Sequence, residues 1–442
     1  MSGHIPSTGA NGDSGLPPEQ LPTASGPLTG HTPAETPAPP RTNQFLTELL
    51  RSSWITTVLA VVAAMIVGGI LMAATNDQVR TTSAYFFARP GDMLAAIWNS
   101  VYGGYEALFR GAVFNSRVAD FGAQIRPLTN TLGFAAPLIA AGLGVALAFR
   151  VGLFNIGGRG QILIACAFAG LVTFNLDLPM IIQLPLTLIV GIAGGALWGG
   201  IVGLLKARTG AHEVILTIML NYVAYYLVTW MVRTPGLLQR PAGDQPISSA
   251  TPANAQFPEL FGPQFPLLDL GFVFVIAATV FVWWLMERSS LGFRLRAVGE
   301  NPYAARAAGI SVPRMYVYAM LFAGGLAGLA GMNQIQGAVT TGFDGLIDSG
   351  IGFDAITVAL LGRSRPWGVF AAGILFGALK SGSFTMQASQ GIPVDIVLVV
   401  QALIVLFIAA PPLVRTIFFL PKSEAERAAK DRAKAAKKAV AA

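Results

Sequence analysis

This chain has little charge. Only 12% of its 442 residues are Asp, Glu, Lys or Arg, against 53% hydrophobic residues and 50 glycines, too few charges to clothe a soluble globule of this size. The deficit assigns the chain to a lipid bilayer. Cysteine is nearly absent: Cys166 stands alone in an apolar run, which excludes an internal disulfide and a Cys-based metal site. Three histidines, His4, His31 and His212, are too few and too scattered for a metal centre. The chain has no G-x-x-x-x-G-K-[ST]. The nearest approach, Gly377-Ala-Leu-Lys380-Ser381, lacks the glycine before the lysine and sits in an apolar segment, so ATP hydrolysis through a P-loop of its own is excluded. No Ser/His/Asp grouping is visible, and these absences together argue against an enzyme.

Long apolar runs take the place of charge. Residues 54–74, WITTVLAVVAAMIVGGILMAA, form an uncharged stretch long enough to cross a hydrocarbon core of about 30 Å as a helix. Comparable runs recur at 132–149, 156–174, 184–205, 214–232, 268–286, 315–333, 366–380 and 394–412. Residues 351–362, IGFDAITVALLG, are shorter and carry Asp354, which predicts a broken or re-entrant helix shielded by protein. The expectation is an all-α integral membrane protein of about ten transmembrane helices.

Lys and Arg in the short loops set the orientation, because basic loops are retained in the cytoplasm. Arg150 and Arg159, Lys206 and Arg208, an island from Arg288 to Arg314, Arg363 and Arg365, and Arg415 onward fall on one side. The opposite turns 175–183, 334–350 and 387–393 contain no Lys or Arg, so both termini are expected in the cytoplasm. Two longer loops, 75–131 and 233–267, fall outside; the first holds GGYEALFRGAVF, which fits an amphipathic helix on the outer surface.

Residues 1–44 are rich in Pro, Gly, Ser and Thr with no basic residue before Arg41, which predicts a disordered cytoplasmic tail and not a signal peptide. Residues 45–415 form the transmembrane domain. Residues 416–442 form an Ala-rich basic tail in which Lys422–Ala442 holds seven basic and three acidic residues. Such a juxtamembrane helix lies against anionic lipid, so the net charge of +7 does not indicate a nucleic-acid partner.

Polar residues inside apolar runs are costly in lipid and point inward or to a pathway. The candidates for a translocation path are Asn155, Gln161, Glu213, Asn221, Asn333, Asp354 and Lys380, with Gln334 and Gln401 beside them. Each also has a structural reading. Asn155, followed by Gly157, Gly158 and Gly160, fits a helix cap. Glu213 and Asn221 share a helical face, and Asn221 suits a bridge between helices. Lys380 near a helix end can snorkel. The repeats Gly191-x-x-x-Gly195-x-x-x-Gly199 and Gly324-x-x-x-Gly328 let helices approach closely.

The island Glu287–Arg314, ERSSLGFRLRAVGENPYAARAAGISVPR, holds five arginines and two glutamates between two apolar runs. Pro302 at an early helical position, with Glu300 before it, marks the start of a short helix. On these residues alone, a docking element and a loop that merely fixes topology stand equal.

Three motifs carry a resemblance that covers about residues 45–415. LRAVGENPYAARAAGI (Leu295–Ile310), followed by AGGLAGLAG (Ala323–Gly331), resembles the cytoplasmic coupling segment of permease subunits of bacterial ABC importers, in the branched-chain amino acid/ribose/nucleoside permease family. FRVGLFNIGGRGQILI (Phe149–Ile164) resembles that family's F-N-I-G-x-E-G-Q segment. LLKARTGAHEVILTIMLNYVA (Leu204–Ala224) resembles its N-E-V-I-x-T-x-M-L-N-Y segment, and the two together are typical of the nucleoside/simple-sugar branch. Two positions depart from the pattern: Arg159 stands where the family usually has Glu, and His212 where it usually has Asn. With Arg159 expected at the cytoplasmic side, its reversed charge would bear on an inner gate or a partner contact.

The resemblance implies a cobalamin-importer-like bundle in a bacterial inner membrane and no cofactor in this chain. ATP belongs to a separate ABC ATP-binding subunit. A second permease, usually a different paralogous chain, and an extracytoplasmic solute-binding lipoprotein complete the importer. Glu300, Asn301, Pro302, Ala305, Arg306 and Gly309 would form the ATPase-coupling helix, and the solute would be a nucleoside or a simple sugar. The alternative is an ion-coupled secondary transporter with Glu213, Asp354 or Lys380 as a relay. A passive channel, needing neither ATPase nor binding protein, is a third reading.

Overall fold

In hydrocarbon every backbone N–H and C=O must find its partner within the protein, so apolar runs become helices. The computed structural model describes residues 53–241 and 245–418, and among them regular structure is helical apart from two isolated β-bridges. The expected tail at 1–44 and nearly all of the basic tail at 416–442 lie outside the described residues.

The helices in chain order are α1 Ser53–Thr75, α2 Asp77–Ser83, α3 Pro90–Ala112, α4 Phe121–Arg150, α5 Gly158–Asn175, α6 Met180–Thr209, α7 Glu213–Met231 and α8 Leu270–Arg288. There follow α9 Ser290–Glu300, α10 Pro302–Ala307, α11 Val312–Met332 with a π-helical continuation Asn333–Ala338, α12 Ile351–Leu361, α13 Pro366–Gln390, α14 Asp395–Ala409 and α15 Pro411–Ile417. Seven of these, α1, α4, α6, α7, α8, α11 and α13, are long and apolar enough to cross a membrane. The protein is thus an all-α, multi-pass membrane protein. Of the other three expected segments, α5 spans 18 residues, α12 11 and α14 15.

The first expected external loop is mostly helix. Asp120 caps α4 by accepting the Ala123 N–H at 2.8 Å, and the helix runs 30 residues through Pro127 and Pro137. Arg126, Pro127 and Asn130 make this stretch read as loop, yet a bundle tolerates proline where neighbours hold the freed backbone. Thr131 ties this helix to α3, donating to the Ala112 carbonyl at 2.6 Å. The GGYEALFRGAVF segment lies mostly in α3, a 23-residue helix packed into the bundle and not merely laid on a surface. Gly111 lets it close on α13, where an added Cβ would stand 3.1 Å from the Gly382 Cα. Ser381 donates to the Gly111 carbonyl at 2.8 Å.

The two glycine repeats meet each other. A Cβ at Gly195 would fall 2.5 Å from the Gly324 carbonyl oxygen and 2.8 Å from the Gly328 Cα. The α6–α11 crossing is therefore backbone against backbone, as the spacing predicts. α4 and α11 lie at the centre of the main core, whereas α1 packs with α14 and α15 in a separate cluster of Ala60, Ala63, Ala64, Val400, Ile404, Phe407 and Val414.

One end of the bundle gathers the basic residues of the short turns, while the long segments 75–131 and 233–267 carry arginines of their own, among them Arg110 and Arg117 on Glu106. Glu287, near the end of α8, accepts from Arg150 at 2.7 Å and from Arg296 at 3.0 Å, joining the ends of α4 and α8 to α9. Arg150 also donates to the Ser364 carbonyl at 3.1 Å, fixing the turn between α12 and α13. This is the arginine-rich end. At the far end, residues 245–269 are stitched to the π segment: Thr251 donates to the Ile335 carbonyl at 2.9 Å, and Gln336 to the Ala255 carbonyl at 2.7 Å.

Candidate functional site

The island Glu287–Arg314 resolves into structure rather than loop. Ser289 ends α8 and starts α9 at once, donating to the Leu285 carbonyl at 2.6 Å and accepting the Gly292 N–H at 2.9 Å. Leu295 and Val298 are buried, and a Cβ at Gly299 would meet the Val151 Cα at 3.1 Å, so α9 is seated against the end of α4. Next comes α10. Asn301 caps it through the Tyr303 and Ala304 N–H groups at 2.9 and 3.1 Å, and Pro302 occupies its first position. Gly309, at φ 80°, closes it, with the Ile310 N–H bonded back to Ala305 at 3.0 Å. Glycine is favoured there because that left-handed conformation strains other residues.

The faces of α10 differ. Ala305 is buried, 4% exposed, inside this chain's own core. Of the expected coupling residues it is the one whose side chain turns inward, where it anchors the helix. The outward face is Tyr303, 81% exposed, with Arg306 and the exposed Glu300, Asn301 and Gly309 around it. Pro302 is half-buried. Tyr303, which the sequence sets beside Arg306 on this short helix, is a large aromatic between small residues on a capped helix, the signal of a contact surface.

Four of the expected path residues come together, but as glue. Asn155 accepts the Gly157 N–H at 2.9 Å and exchanges amide contacts with Gln161 at 3.2 and 3.3 Å. Asn221 accepts the Gly160 N–H at 2.8 Å and donates to the Ile156 carbonyl at 3.0 Å. Glu213 pairs with Lys206 at 2.7 Å beside the Phe154 N–H. These side chains satisfy the non-helical backbone of 151–157, which a membrane would otherwise leave unpaired. Asn221 thus takes the bridge role that the sequence holds open, whereas Asn155 closes a turn ahead of α5, whose N-cap is Gly157.

Arg159 is not at the arginine-rich end. Its Nε lies 3.2 Å from Asp348, and its guanidinium stands 5.3 Å from the Tyr225 ring. Tyr225 is twelve residues along α7 from Glu213, about 18 Å at 1.5 Å per residue. From the other side, the start of α12 touches Arg159, with a Cβ at Gly352 falling 2.6 Å from the Arg159 Cα. The 11 residues of α12 span about 16 Å before the turn held by Arg150. Both routes place the Arg159 side chain about 16–18 Å along the bundle from its arginine-rich end. Residues 151–157 therefore descend into the bundle to reach α5, and 339–350 descend from the far end to reach α12. Asp348 belongs to a turn that sequence orientation places wholly outside. Neither it nor Tyr225 stands among the expected site residues, because a charge in an apparent loop raises no alarm.

The remaining candidates form two separate places. Asp354 and Lys380, with Gln401 and Ser383, line a cavity of about 210 Å³ between α4, α12, α13 and α14. α13 continues to Gln390, so Lys380 lies in mid-helix, 6.0 Å from the Phe134 ring, and not near an end for snorkelling. Asn333 and Gln334 are buried in the π segment at the far end, where Asn333 donates to the Leu329 carbonyl at 2.9 Å. π segments cluster at functional sites, but no path residue from the other groups joins these two. Among the described residues no group of His, Cys, Asp and Glu is placed to hold a metal ion.

No solved structure matches the chain. Residues 127–409, well over half of its length, match the family described as branched-chain amino acid transport system/permease component. The chain is 39% identical over 318 residues to the guanosine ABC transporter permease protein NupP of Bacillus subtilis, covering 72% of this chain and 88% of that one. It is 36% identical over 359 residues to the nucleoside ABC transporter permease protein NupB of Lactococcus lactis, covering 78% and 93%. Over 361 residues it is 34% identical to the glucose ABC transporter permease protein TsgB13 of Haloferax volcanii, covering 80% and 86%. On these matches the chain, a bundle of apolar helices, belongs to this family and is a permease subunit of an ABC transporter.

Proposed function

We propose that this permease forms the membrane path of an ATP-driven nucleoside importer. The observation that carries the solute class is the similarity, across most of both chains, to permeases named for guanosine and for nucleosides. Simple sugars are the second reading, favoured by the glucose permease relative. The arginine-rich end faces the cytoplasm, and the seven long helices with α5, α12 and α14 make up the ten segments of a cobalamin-importer-like bundle in a bacterial inner membrane, with both termini cytoplasmic.

In this reading α10 enters a cleft of a separate ATP-binding subunit through Tyr303 and Arg306. Closure of that subunit on ATP pushes α10, and the Glu287 bridge and the α9 seat pass the push to α4 and α8 as a rigid body. A second permease, a different paralogous chain in the nucleoside branch, faces this one, and a lipoprotein delivers solute at the far end. No cofactor is needed in this chain, since ATP is bound by the partner.

The test is uptake of labelled guanosine and uridine by cells with and without this gene, with excess unlabelled ribose and leucine as competitors. Loss of uptake on deletion, uncompeted by either, is the expected result. Unchanged nucleoside uptake would discard the solute and turn attention to sugars. Uptake that survives loss of the ATPase subunit but collapses with an uncoupler would sink the ATP-driven reading.

A further inference from the structure

We propose that Arg159, paired with Asp348 and standing over the Tyr225 ring, is a solute-contacting residue midway along the path and selects planar rings that offer two adjacent hydrogen-bond acceptors, as a 6-oxopurine does. The inference rests on the nucleoside reading and goes beyond it to a residue and a preference among bases.

Exposure at depth is the first ground. The Arg159 side chain is 27% exposed in this chain although it lies deep along the bundle. A guanidinium facing lipid there is costly, and intramembrane charges face a bundle interior or a water-filled cavity. The surface beside it belongs to α7, the least covered of the seven spans, with 28% of its window buried against 78% for α4. Tyr222 and Tyr226 are exposed on α7, and Phe353, next to Gly352, is exposed on α12. This face is therefore covered in the working transporter by the second permease and the path between the two.

Chemistry supplies the second ground. Asp348, 4% exposed, lies 3.2 Å from the Nε of Arg159 on the inner side and pairs with it by charge, without an aligned hydrogen bond. The planar guanidinium keeps its terminal nitrogens as a rigid two-donor fork. Pairing with a carboxylate offsets the positive charge, so the site suits an uncharged solute better than a phosphorylated one. Tyr225 and Tyr226 stand edge to face with ring centroids 5.2 Å apart, and aromatic rings of this kind stack bases of any sequence. A two-donor fork matches the O6 and N7 acceptors of a 6-oxopurine, whereas adenine replaces one acceptor by an amino donor. A glutamine side chain, one donor and one acceptor, has the opposite match.

The experiment uses the complete importer, with its ATPase, second permease and binding protein, in proteoliposomes supplied with guanosine, inosine or adenosine. The same binding protein serves every variant, so its own preference cancels. Arg159→Gln is expected to lower the guanosine-to-adenosine uptake ratio about tenfold relative to wild type, with the assembled complex still co-purifying. The charge swap Arg159→Asp with Asp348→Arg keeps the ion pair and is expected to assemble yet not regain guanosine uptake. An unchanged ratio in Arg159→Gln, or full recovery of guanosine uptake in the swap, overturns the assignment and leaves the pair purely structural. If Arg159→Gln does not assemble, the swap decides alone. A wild-type importer that carries none of the three nucleosides overturns the nucleoside reading itself and this inference with it, an outcome visible in the wild-type arm alone.

Discussion

Residues 155–161 present two polar faces within one turn of each other, and the faces have opposite fates. Asn155 and Gln161 point into the bundle, where with Asn221 they exchange hydrogen bonds among themselves and with the backbone of 156–160. Arg159 points the other way, toward Asp348 and an open aromatic surface. The inward face is needed because the chain enters the membrane here without helical structure, and each unpaired N–H or C=O would cost several kcal/mol. The outward face keeps donor capacity that the fold does not consume. Polar residues in a membrane thus divide by satisfaction: those already saturated hold the fold, and those left with spare capacity at depth are where a solute can be read.

The comparison breaks most clearly at Asn221. Leucine there leaves the Gly160 N–H and the Ile156 carbonyl buried and unpaired, at about 1–3 kcal/mol for each. Asn221→Leu should therefore lower the yield of folded permease and its thermal unfolding temperature in detergent, whereas Tyr226→Ala, on the open aromatic surface beside Tyr225, should leave both near wild type. Equal losses in the two variants would erase the distinction between the faces.

A second contrast of the same kind runs along the coupling element. α9 is clamped to the bundle by Ser289, Gly299 and the Glu287 bridge, while α10 holds Ala305 inward and sends Tyr303 outward. Tyr303→Ala removes no internal hydrogen bond, since Asn301 caps through the backbone N–H. It should leave the unfolding temperature unchanged but weaken co-purification of the ATP-binding subunit by about 2 kcal/mol, the size of an aromatic hot spot. Undiminished co-purification would place the docking face elsewhere. Bulky substitution of Ala305 would not test docking, because its side chain packs within this chain.

Much of this was legible beforehand. Hydropathy marks every long span, and the four-residue glycine spacing anticipates the α6–α11 contact because close approach demands it whatever the neighbours are. The Asn301–Pro302 start of α10 is equally local. Depth is what sequence hides. Arg159 and Asp348 sit in stretches that count as turns on opposite sides of the membrane, yet residues 151–157 and 339–350 dive inward to bring them within 3.2 Å. A positive charge read as topogenic is in fact embedded. The start of α4 at Phe121 was hidden for a similar reason: Arg126 and Pro127 look like loop until Asp120 is seen to cap the helix and Thr131 to tie it to α3.

The effect that depends on pH concerns a buried acid that N–H groups hold at the far end. Asp269 caps α8, accepting the Gly271 N–H at 2.8 Å. Burial pushes its carboxyl up to about 7, the N–H groups of Gly271 and Phe272 pull back, and the charge of Glu259 adds to the rise. The folded chain therefore holds this proton more tightly than the unfolded chain, where an aspartate titrates near 3.9. The stabilisation is fully present below about pH 4 and is lost as pH rises through about 7. The unfolding temperature of the purified permease should fall between about pH 5 and about pH 8, and Asp269→Asn, which keeps an oxygen for the cap but cannot ionise, should flatten that slope. An identical slope in Asp269→Asn would assign the pH dependence to another group and remove Asp269 from the contrast. A flattened slope would add a third class to it, an acid that the fold prefers uncharged, beside the saturated amides and the paired guanidinium.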